Sequence, residues 1–315
     1  MNRVIFVSLY ITFFVLIGHV FGQTQERVAP YILILGVAQD AGYPQAGCYK
    51  PHCMRAWKDP SLSRSATSFA LIDPVSKKKW VFEATPDIKK QLYTLQTHAP
   101  DSEYELAGIF LTHAHIGHYT GLMHFGREAI GSRNMKVYAM PKMMEFLSQN
   151  GPWSQLVDLQ NIKIQPLQNN SSITLSPSIS VKPFLVPHRD EFSETVGYEI
   201  KSNDKTVIFI PDIDKWQKWD TDISQVVQSC DIALLDATFF DGDELPGRNM
   251  TEIPHPFVEE SLKTFNALDL TQKNKIHFIH FNHTNPLLID NSTQHNSVIE
   301  AGYNVAKEGQ VLSLE

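Results

Sequence analysis

The sequence has little cysteine and no concentration of positive charge. Only three of its 315 residues are cysteines, too few for a fold held together by a framework of disulfides. The 27 lysines and arginines are outnumbered by 34 aspartates and glutamates and form no basic block, which argues against a dedicated nucleic-acid-binding protein. The one long hydrophobic run lies at the N-terminus, and no later stretch is long or apolar enough to cross a membrane.

Residues 1–22 have the features of a secretory signal peptide. Arg3 gives a positive start, residues 4–17 carry no charge, and small residues lie just before Gln23. We expect cleavage before Gln23, which leaves a mature domain of residues 23–315 in an extracytoplasmic compartment, periplasmic or secreted. The alternative is an uncleaved membrane anchor, because a run of about 17 apolar residues is at the lower limit for spanning a bilayer.

The rest of the chain has the composition of a globular domain, and its pattern alternates between two kinds of segment. Short apolar runs that end in polar residues predict strands, and apolar residues at helical spacing predict helices. The predicted strands are 31–38, 67–73, 79–83, 107–111 and 136–139, several between 162 and 200, and then TVIFI, DIALLDA and IHFIHF; the predicted helices are 88–97, 141–149 and 257–268. Strands interspersed with helices indicate one layered α/β domain.

Three of the 13 histidines lie close together, directly after a predicted strand. His113, His115 and His118 follow the run 107–111. Side chains at positions i, i+2 and i+5 converge only if the chain turns sharply, and Gly117 suits such a turn. Neutral imidazoles are ligands for zinc, iron and manganese. The cluster therefore predicts a metal site.

Three further residues with metal-binding side chains each lie at the end of a predicted strand. They are His188, Asp212 and His280. Singly, each would more often be structural, but with the cluster they supply imidazoles to hold ions and a carboxylate that can bridge two of them. Water on such ions becomes acidic enough to attack a substrate near neutral pH. We therefore expect a divalent metal cofactor, zinc first, with manganese or iron as alternatives.

These residues carry a resemblance to a known family. The motif HAHIGH at 113–118, with His188, Asp212 and His280 after it, resembles the metallo-β-lactamase superfamily, whose usual pattern is HxHxDH followed by a histidine, an aspartate and a histidine. Four segments are more closely similar to the pyrroloquinoline-quinone biosynthesis protein B (PqqB) family, and the first and last also resemble the cyclic phosphodiesterase of phosphonate breakdown: 42–53, 83–92, 234–244 and 279–288. The resemblance implies a four-layer αββα sandwich with metals at one edge.

The resemblance also implies two neighbouring metal sites. Their ligands would be His113, His115 and His188 for the first, His118 and His280 for the second, and Asp212 as the bridge. The position that is usually aspartate in the motif is Gly117, so we expect the second site to lack an anionic ligand and to hold its ion more weakly. Without that aspartate, Asp212 is the expected catalytic base.

Two cysteines in one loop suggest a separate structural zinc site. In the resembled families this loop commonly carries a zinc site with CxCxxC spacing, but Lys50 stands here in place of the middle cysteine. His52 and His283 would complete a Cys₂His₂ site with Cys48 and Cys53. A Cys48–Cys53 disulfide, which an oxidising compartment favours, and a pair of free thiols are the alternatives.

The leading functional prediction is an exported metal-dependent hydrolase that uses a metal-bound hydroxide on an ester, phosphodiester, lactone or β-lactam-like amide. We expect a small-molecule substrate, no nucleic-acid partner, and membrane association only if the signal segment is not cleaved. The sequence carries no signal for an oligomeric state. Two alternatives remain: a PqqB-like iron-dependent oxygenase or hydroxylase, in which Gly117 leaves open positions for O₂, and a non-enzymatic metal-binding relative.

Overall fold

Runs of β-branched and aromatic residues form two seven-stranded sheets. The structure is a computed structural model that describes residues 29–203 and 205–315. The expected signal peptide, residues 1–22, and its cleavage site lie outside these residues. Within the described part of the chain, no helix is both long and apolar enough to cross a bilayer.

Both sheets are mixed, and neighbouring strands are mostly close in sequence. The first sheet contains β1 (Tyr31–Gly36), β2 (Ser68–Asp73), β3 (Lys78–Phe82), β4 (Glu105–Phe110), β5 (Met135–Ala139), β6 (Ile162–Pro166) and, from the C-terminus, β14 (Val311–Ser313). The second contains β7 (Ile173–Ser176), β8 (Ile179–Leu185), β9 (Val196–Ser202), β10 (Lys205–Ile210), β11 (Ile232–Asp236), β12 (Ile276–Ile279) and β13 (Asn304–Val305). The spatial orders are β14-β1-β2-β3-β4-β5-β6 and β13-β12-β11-β10-β9-β8-β7.

Helices cover the outer faces of both sheets. They are α1 (Pro51–Lys58), α2 (Ile88–His98), α3 (Ile116–Tyr119), α4 (Pro141–Gln149), α5 (Trp153–Asp158), α6 (Ile223–Gln228), α7 (Val258–Thr264), α8 (Leu270–Lys273) and α9 (Thr293–Glu300). The helix expected over 257–268 is shorter than predicted. It ends at Thr264, after which the chain passes into tighter turns, with Asn266 N donating to Lys263 O at 3.3 Å and Leu268 N to Phe265 O at 3.0 Å.

Alternation along the strands sends side chains into two cores. Ile32 and Ile34 of β1 belong to the cluster between the sheets. Leu33 and Leu35 belong to a second cluster that includes Leu95 of α2, because successive side chains of a strand point to opposite faces. The result is the αββα sandwich expected from the resemblance.

Aromatic contacts join the two sheets near the candidate site. Phe69 and Phe82 of the first sheet stack with ring centroids 4.4 Å apart, and Phe69 meets Phe209 of the second sheet edge to face at 4.8 Å. The Tyr198 hydroxyl in β9 donates to the carbonyl of Leu111 at 2.5 Å. Since Leu111 directly precedes the histidine motif, this bond ties the motif to the opposite sheet.

Parallel strands bring the predicted site residues to one edge. Strands β3 to β6 are parallel in the first sheet, as are β10 to β13 in the second. The histidine motif follows β4, Asp212 follows β10 and His280 follows β12. Loops at the carboxyl ends of parallel strands are the usual location of binding sites in layered α/β folds.

Candidate metal centre

The three clustered histidines lie on a sharp turn between β4 and α3. His115 has an extended backbone and precedes the first turn of α3, so the chain changes direction within the motif. The ring centroid of His113 lies 4.4 Å from that of His115 and 4.1 Å from that of His118. The turn predicted from the spacing is therefore present, and it brings the three rings together.

A first group of side chains that could hold a metal ion combines two of these histidines with His188 and Asp212. Their ligand atoms all lie within 4.8 Å of one another. His113 Nε2 is 2.8 Å from His115 Nδ1, and Asp212 places Oδ2 3.3 Å from His113 Nε2 and Oδ1 3.2 Å from His188 Nε2. Three imidazole nitrogens and a carboxylate oxygen are a suitable donor set for zinc.

A second group shares Asp212 with the first. His118 Nε2 and His280 Nε2 lie 3.7 Å and 4.0 Å from Asp212 Oδ2. Asp40, which the sequence analysis did not select, has a ligand atom within 4.8 Å of those of both histidines. The structure thus gathers every residue predicted for the active centre and adds one carboxylate.

Gly117 leaves the motif without its usual carboxylate, as expected from the sequence, but the structure places the Asp40 carboxylate beside the second group. A side chain at this position would place its Cβ 2.3 Å from Asp40 Oδ1 and 2.5 Å from Asp40 Cα, closer than such atoms can approach. The Asp40 carboxylate, which arrives from the segment after β1, occupies the space beside the motif. The carboxylate of the second group therefore comes from another loop.

Each of the five histidines directs one ring nitrogen toward the centre and the other toward an oxygen atom of the protein. The outer contacts are His113 Nδ1 to Thr112 Oγ1 at 2.8 Å, His115 Nε2 to Glu191 Oε2 at 3.0 Å, His118 Nδ1 to Glu83 Oε1 at 3.5 Å, His188 Nδ1 to Asp214 Oδ1 at 3.5 Å and His280 Nδ1 to Thr238 Oγ1 at 2.9 Å. At His113, His115 and His280 the outer contact is a hydrogen bond, which fixes the ring orientation and raises the basicity of the inner nitrogen, as is typical of metal-ligating histidines. The outer nitrogens of His118 and His188 face a carboxylate at 3.5 Å without a hydrogen bond among the described residues.

Two residues of this centre have a backbone conformation that is uncommon outside glycine. Glu83 has a φ of 75° and His280 a φ of 71°, both in the left-handed region. Both residues are fully buried, and Glu83 Oε2 accepts a hydrogen bond from Thr112 N at 3.3 Å. Strained backbone of this kind persists where the surroundings enforce it, and it is concentrated at functional sites.

Several inner atoms of the two groups are buried without a hydrogen-bond partner among the described residues. They are Asp40 Oδ1, His118 Nε2, His188 Nε2, Asp212 Oδ1 and His280 Nε2. Buried polar atoms nearly always have a hydrogen-bond partner. Several such atoms without one, all facing the same space, fit a site that binds cations. Imidazole nitrogen together with carboxylate oxygen suits zinc, manganese or iron.

The protonation of the histidines differs between the groups. Burial lowers the pKa of His113 well below its ordinary value and also lowers the pKa of His280, so both rings are neutral and ready to bind metal. Burial also acts to lower the pKa of His118, but Glu83 and Asp40 outweigh it and raise this pKa to about 10. In the metal-free protein His118 therefore carries a proton that an arriving ion must displace.

A buried histidine outside both groups contacts the shared carboxylate. His255 Nδ1 lies 3.1 Å from Asp212 Oδ1 and 2.9 Å from Asp236 Oδ2. Burial acts to lower the pKa of His255, but Asp236 and Asp212 raise it to about 10. Burial acts to raise the pKa of Asp212, yet His188 and His255 hold it well below its ordinary value. In the metal-free protein His255 is therefore protonated, and its charge holds Asp212 as a carboxylate.

The predicted Cys₂His₂ group is also brought together. Cys48, His52, Cys53 and His283 have ligand atoms within 4.8 Å of one another, and Cys48 Sγ lies 3.3 Å from His52 Nε2. The two cysteines are not bonded to each other. Burial, followed by the charges of His52 and Lys50, lowers the pKa of His283 to about 4, which keeps this ring neutral and able to bind zinc.

Comparison with known proteins agrees with this geometry. Residues 71–281, more than half of the chain, match the family model described as a beta-lactamase superfamily domain. Coenzyme PQQ synthesis protein B of Xanthomonas campestris pv. campestris is 25% identical over 90% of this chain and 99% of its own length. Zinc-bound PqqB from Methylobacterium extorquens superposes with a TM-score of 0.74 at 25% identity, covering 90% of this chain and 100% of that one.

A more distant structure shows a likeness of fold alone. A diphosphatase from the PhnP family superposes with a TM-score of 0.61 at 20% identity, covering 90% of this chain and 96% of that one. The resemblance carried by the histidine motif is confirmed by the family model and by the PqqB relatives. The chain belongs to the metallo-β-lactamase superfamily, and within it the chain is PqqB-like.

Proposed function

We propose that this protein is a metal-dependent hydrolase that uses two neighbouring divalent ions to cleave a small ester, phosphodiester or lactone. The position of Asp212 carries the proposal. Its Oδ2 lies 3.3 Å from His113 Nε2 and 3.7 Å from His118 Nε2, so one carboxylate oxygen faces both histidine groups. A carboxylate shared in this way is suited to bridge two cations that act on one substrate.

The proposed ligands are those predicted from the sequence, with His113, His115 and His188 for one ion, His118 and His280 for the other, and Asp212 shared. Bound ions of this kind supply an acidic water and a Lewis acid for the substrate oxygen. We propose zinc, supported by the zinc in the Methylobacterium relative, with manganese or iron as alternatives. Asp212 touches both groups, and we propose that it takes up the proton of the attacking water.

The rim beside His115 suggests the class of substrate. The His115 side chain is 14% exposed, and its neighbour Ile116 and the nearby Phe192 are exposed apolar residues. The charge of Arg189 acts on both His115 and Glu191. The exposed apolar side chains support a small substrate with an apolar part, such as a lactone or a phosphodiester with an apolar group. Arg189 and Glu191 are both exposed and of opposite charge, so the rim favours neither sign of substrate charge.

We also propose that the protein acts outside the cytoplasm. The support is the sequence of residues 1–22, with a basic start, an uncharged apolar run and small residues before Gln23. Attachment to a membrane follows only if this segment is retained. The excess of acidic over basic residues supports a small-molecule substrate rather than a nucleic acid.

A PqqB-like iron-dependent oxygenase or hydroxylase is the second candidate. It is favoured by the similarity to coenzyme PQQ synthesis protein B over 90% of this chain and 99% of that protein. The argument that Gly117 leaves coordination positions open for O₂ no longer supports it, because Asp40 fills that space. A metal-binding relative without activity is a third possibility, and it predicts bound metal with no turnover.

Metal analysis followed by substrate panels tests the proposal. The mature protein, purified without added metal, is expected to hold two zinc or manganese ions at the histidine centre and to hydrolyse members of a phosphodiester or lactone panel. His115→Ala should remove one ion and the activity. His124→Ala, in the neighbouring 3₁₀ helix Thr120–Phe125, is the control and should keep both. A single iron with O₂-dependent turnover would support the oxygenase, and metal without turnover would contradict both enzymes.

A further inference from the structure

The Asp40 carboxylate reaches the centre from a segment fixed by backbone hydrogen bonds. Asp40 follows β1, and the residue before it, Gln39, donates from its N to Phe281 O at 2.7 Å. Phe281 N in turn donates to Val37 O at 2.8 Å. Because Phe281 directly follows His280, these two bonds hold the Asp40 segment and the His280 segment side by side.

The Asp40 carboxylate lies at ligand-to-ligand distance from His118 and about 0.4 Å beyond that range from His280. Asp40 Oδ1 lies 3.3 Å from His118 Nε2 and 4.0 Å from His280 Nε2. Ligand atoms bonded to one zinc ion at about 2.0–2.2 Å lie about 3.3–3.6 Å apart in tetrahedral geometry. All three atoms are buried and unsatisfied within the described ranges. A cation between them would satisfy all three.

Gly117 and Asp40 are sterically complementary. A Cβ at position 117 would lie 2.3 Å from Asp40 Oδ1 and 3.0 Å from Asp40 Cγ. The aspartate of the HxHxDH pattern would therefore compete with Asp40 for the same space. The absence of a side chain at Gly117 is what allows the carboxylate of Asp40 to lie beside His118.

We propose that Asp40 is a ligand of the second metal ion and supplies from the β1 loop the carboxylate that the histidine motif lacks. The second site then comprises Asp40, His118, His280 and the shared Asp212. This inference rests on the proposed metal centre but not on the reaction catalysed there. Two imidazoles and two carboxylates make this site richer in oxygen than the first, which has three imidazoles. Because oxygen ligands suit manganese, the second site should accept Mn²⁺ more readily than the first.

Metal titration of Asp40 variants tests this assignment. Metal-free full-length protein is titrated with Zn²⁺ and with Mn²⁺, and bound metal is counted after desalting. Asp40→Ala should bind one ion fewer than the wild type, or bind that ion at least about 10-fold more weakly. Asp40→Asn keeps the shape of the side chain and loses its charge, so its affinity for this ion should lie between those of the wild type and Asp40→Ala. Asp220→Asn changes an exposed aspartate and is the control that should match the wild type.

Two further measurements separate a lost ligand from a damaged fold. Formate added to Asp40→Ala can occupy the vacated carboxylate position, and it should restore the missing ion. With Mn²⁺, the wild type should give the spin-coupled signal of an ion pair, whereas Asp40→Ala should give that of a single ion. Wild-type stoichiometry, affinity and coupling in Asp40→Ala would overturn the inference. A wild-type protein that binds two ions but hydrolyses nothing would contradict the proposed function without contradicting the assignment of Asp40 as a ligand.

Discussion

His255 Nδ1 lies 3.1 Å from Asp212 Oδ1, so a buried imidazolium contacts the carboxylate that faces both histidine groups. The same nitrogen is 2.9 Å from Asp236 Oδ2. Asp236 is itself held by hydrogen bonds from the backbone N–H groups of Ile213 and Thr238. The His255 ring is thus held between Asp236 and the shared carboxylate of Asp212, whose Oδ1 accepts no hydrogen bond from the described residues. This arrangement pre-organises the centre for metal.

Replacing His255 should destabilise the metal-free protein. His255→Gln leaves two buried carboxylates without their cation, at an expected cost of about 3 kcal/mol. Because the pKa of His255 is raised from 6.5 to about 10, its contribution is fully present below pH 6.5 and is lost as the pH rises through 10. Urea unfolding of wild type and variant at several pH values measures the difference, which should shrink with rising pH.

The matched control for this experiment is another buried histidine, His277. Burial lowers the pKa of His277 to about 4, so its ring is neutral throughout the neutral and alkaline range. The unfolded chain still titrates this ring near its ordinary pKa of 6.5, so His277→Gln should change the free energy of unfolding by an amount that does not vary with pH above about 7.5. If the change in the free energy of unfolding caused by His255→Gln were also independent of pH, a stabilising charge on His255 would be contradicted.

Glu83 should control the affinity of the second ion through His118. Its Oε1 lies 3.5 Å from His118 Nδ1, and loss of such an outer partner typically lowers metal affinity about 10–100-fold. Glu83→Gln is expected to weaken the second ion by this amount, measured by competition with a chelator. Glu191→Gln, which removes the corresponding partner of His115, should act on the first ion instead. If both variants weakened the same ion, the division into two groups would be wrong.

Adding a side chain at position 117 should lower both the stability of the protein and its affinity for the second ion. The Cβ of Gly117→Ala would lie 2.5 Å from Asp40 Cα, and forced overpacking of this kind typically costs about 1–3 kcal/mol. We expect a lower melting temperature and a weaker second ion. Gly242→Ala is the control, since its Cβ would have its nearest neighbour at 3.9 Å. An unchanged or raised occupancy of the second site in Gly117→Ala would contradict the assigned position of Asp40.

Zinc binding at Cys48 and Cys53 should release protons. Burial and the neighbouring Cys48 raise the pKa of Cys53 to about 11, so this thiol is protonated at neutral pH and must lose its proton to bind zinc. At least one proton per zinc should be released, and the apparent affinity should rise about 10-fold per pH unit near neutrality. A pH indicator in weak buffer measures the release.

The same loop offers a direct test of the disulfide. After chelation and denaturation without reductant, thiol titration should find all three cysteines of the chain reactive. A single reactive thiol would show that Cys48 and Cys53 form a disulfide in the mature protein. Proton release would then be absent as well.

If the proposed signal peptide is cleaved, the N-terminus of the protein should be Gln23. Removal of residues 1–22 leaves 315 − 22 = 293 residues, which intact-mass measurement of protein from the extracytoplasmic fraction can confirm. A chain that keeps these residues and sediments with membranes would support the anchor instead.

The sequence predicts most of the centre because its ligands follow buried strands. The sequence predicts Asp212 and His280 on this basis, and the structure places both beside the histidine motif. Asp40 also follows a buried strand, but many polar residues do, and no spacing rule connects it with residues about 75 positions later. Only the three-dimensional approach of its carboxylate to Gly117 reveals it. Glu83 was missed for the same reason.

Lengths of secondary structure were predicted less well than their positions. Helix α4 has the predicted bounds of Pro141–Gln149, because proline at its first turn fixes where it begins. Helix α7 stops at Thr264 although apolar residues continue to Leu268, because the backbone there passes into tighter turns, with Asn266 N and Leu268 N donating to carbonyls three residues back. Apolar periodicity alone does not register such a local bond.

The proposed ligands come from both halves of the sandwich, four residues from the first and three from the second, of which Asp212 is shared by both ions. Each ion would be bound by two side chains that follow strands of the first sheet and by two that follow strands of the second. For the second ion these are Asp40 and His118 from the first sheet, and His280 and Asp212 from the second. Neither sheet alone carries enough ligands for either ion. High affinity thus arises only when the sheets have docked, so metal capture would be a late event in folding. Bound ions would then stabilise the docked sheets, because separating the sheets requires release of the ions.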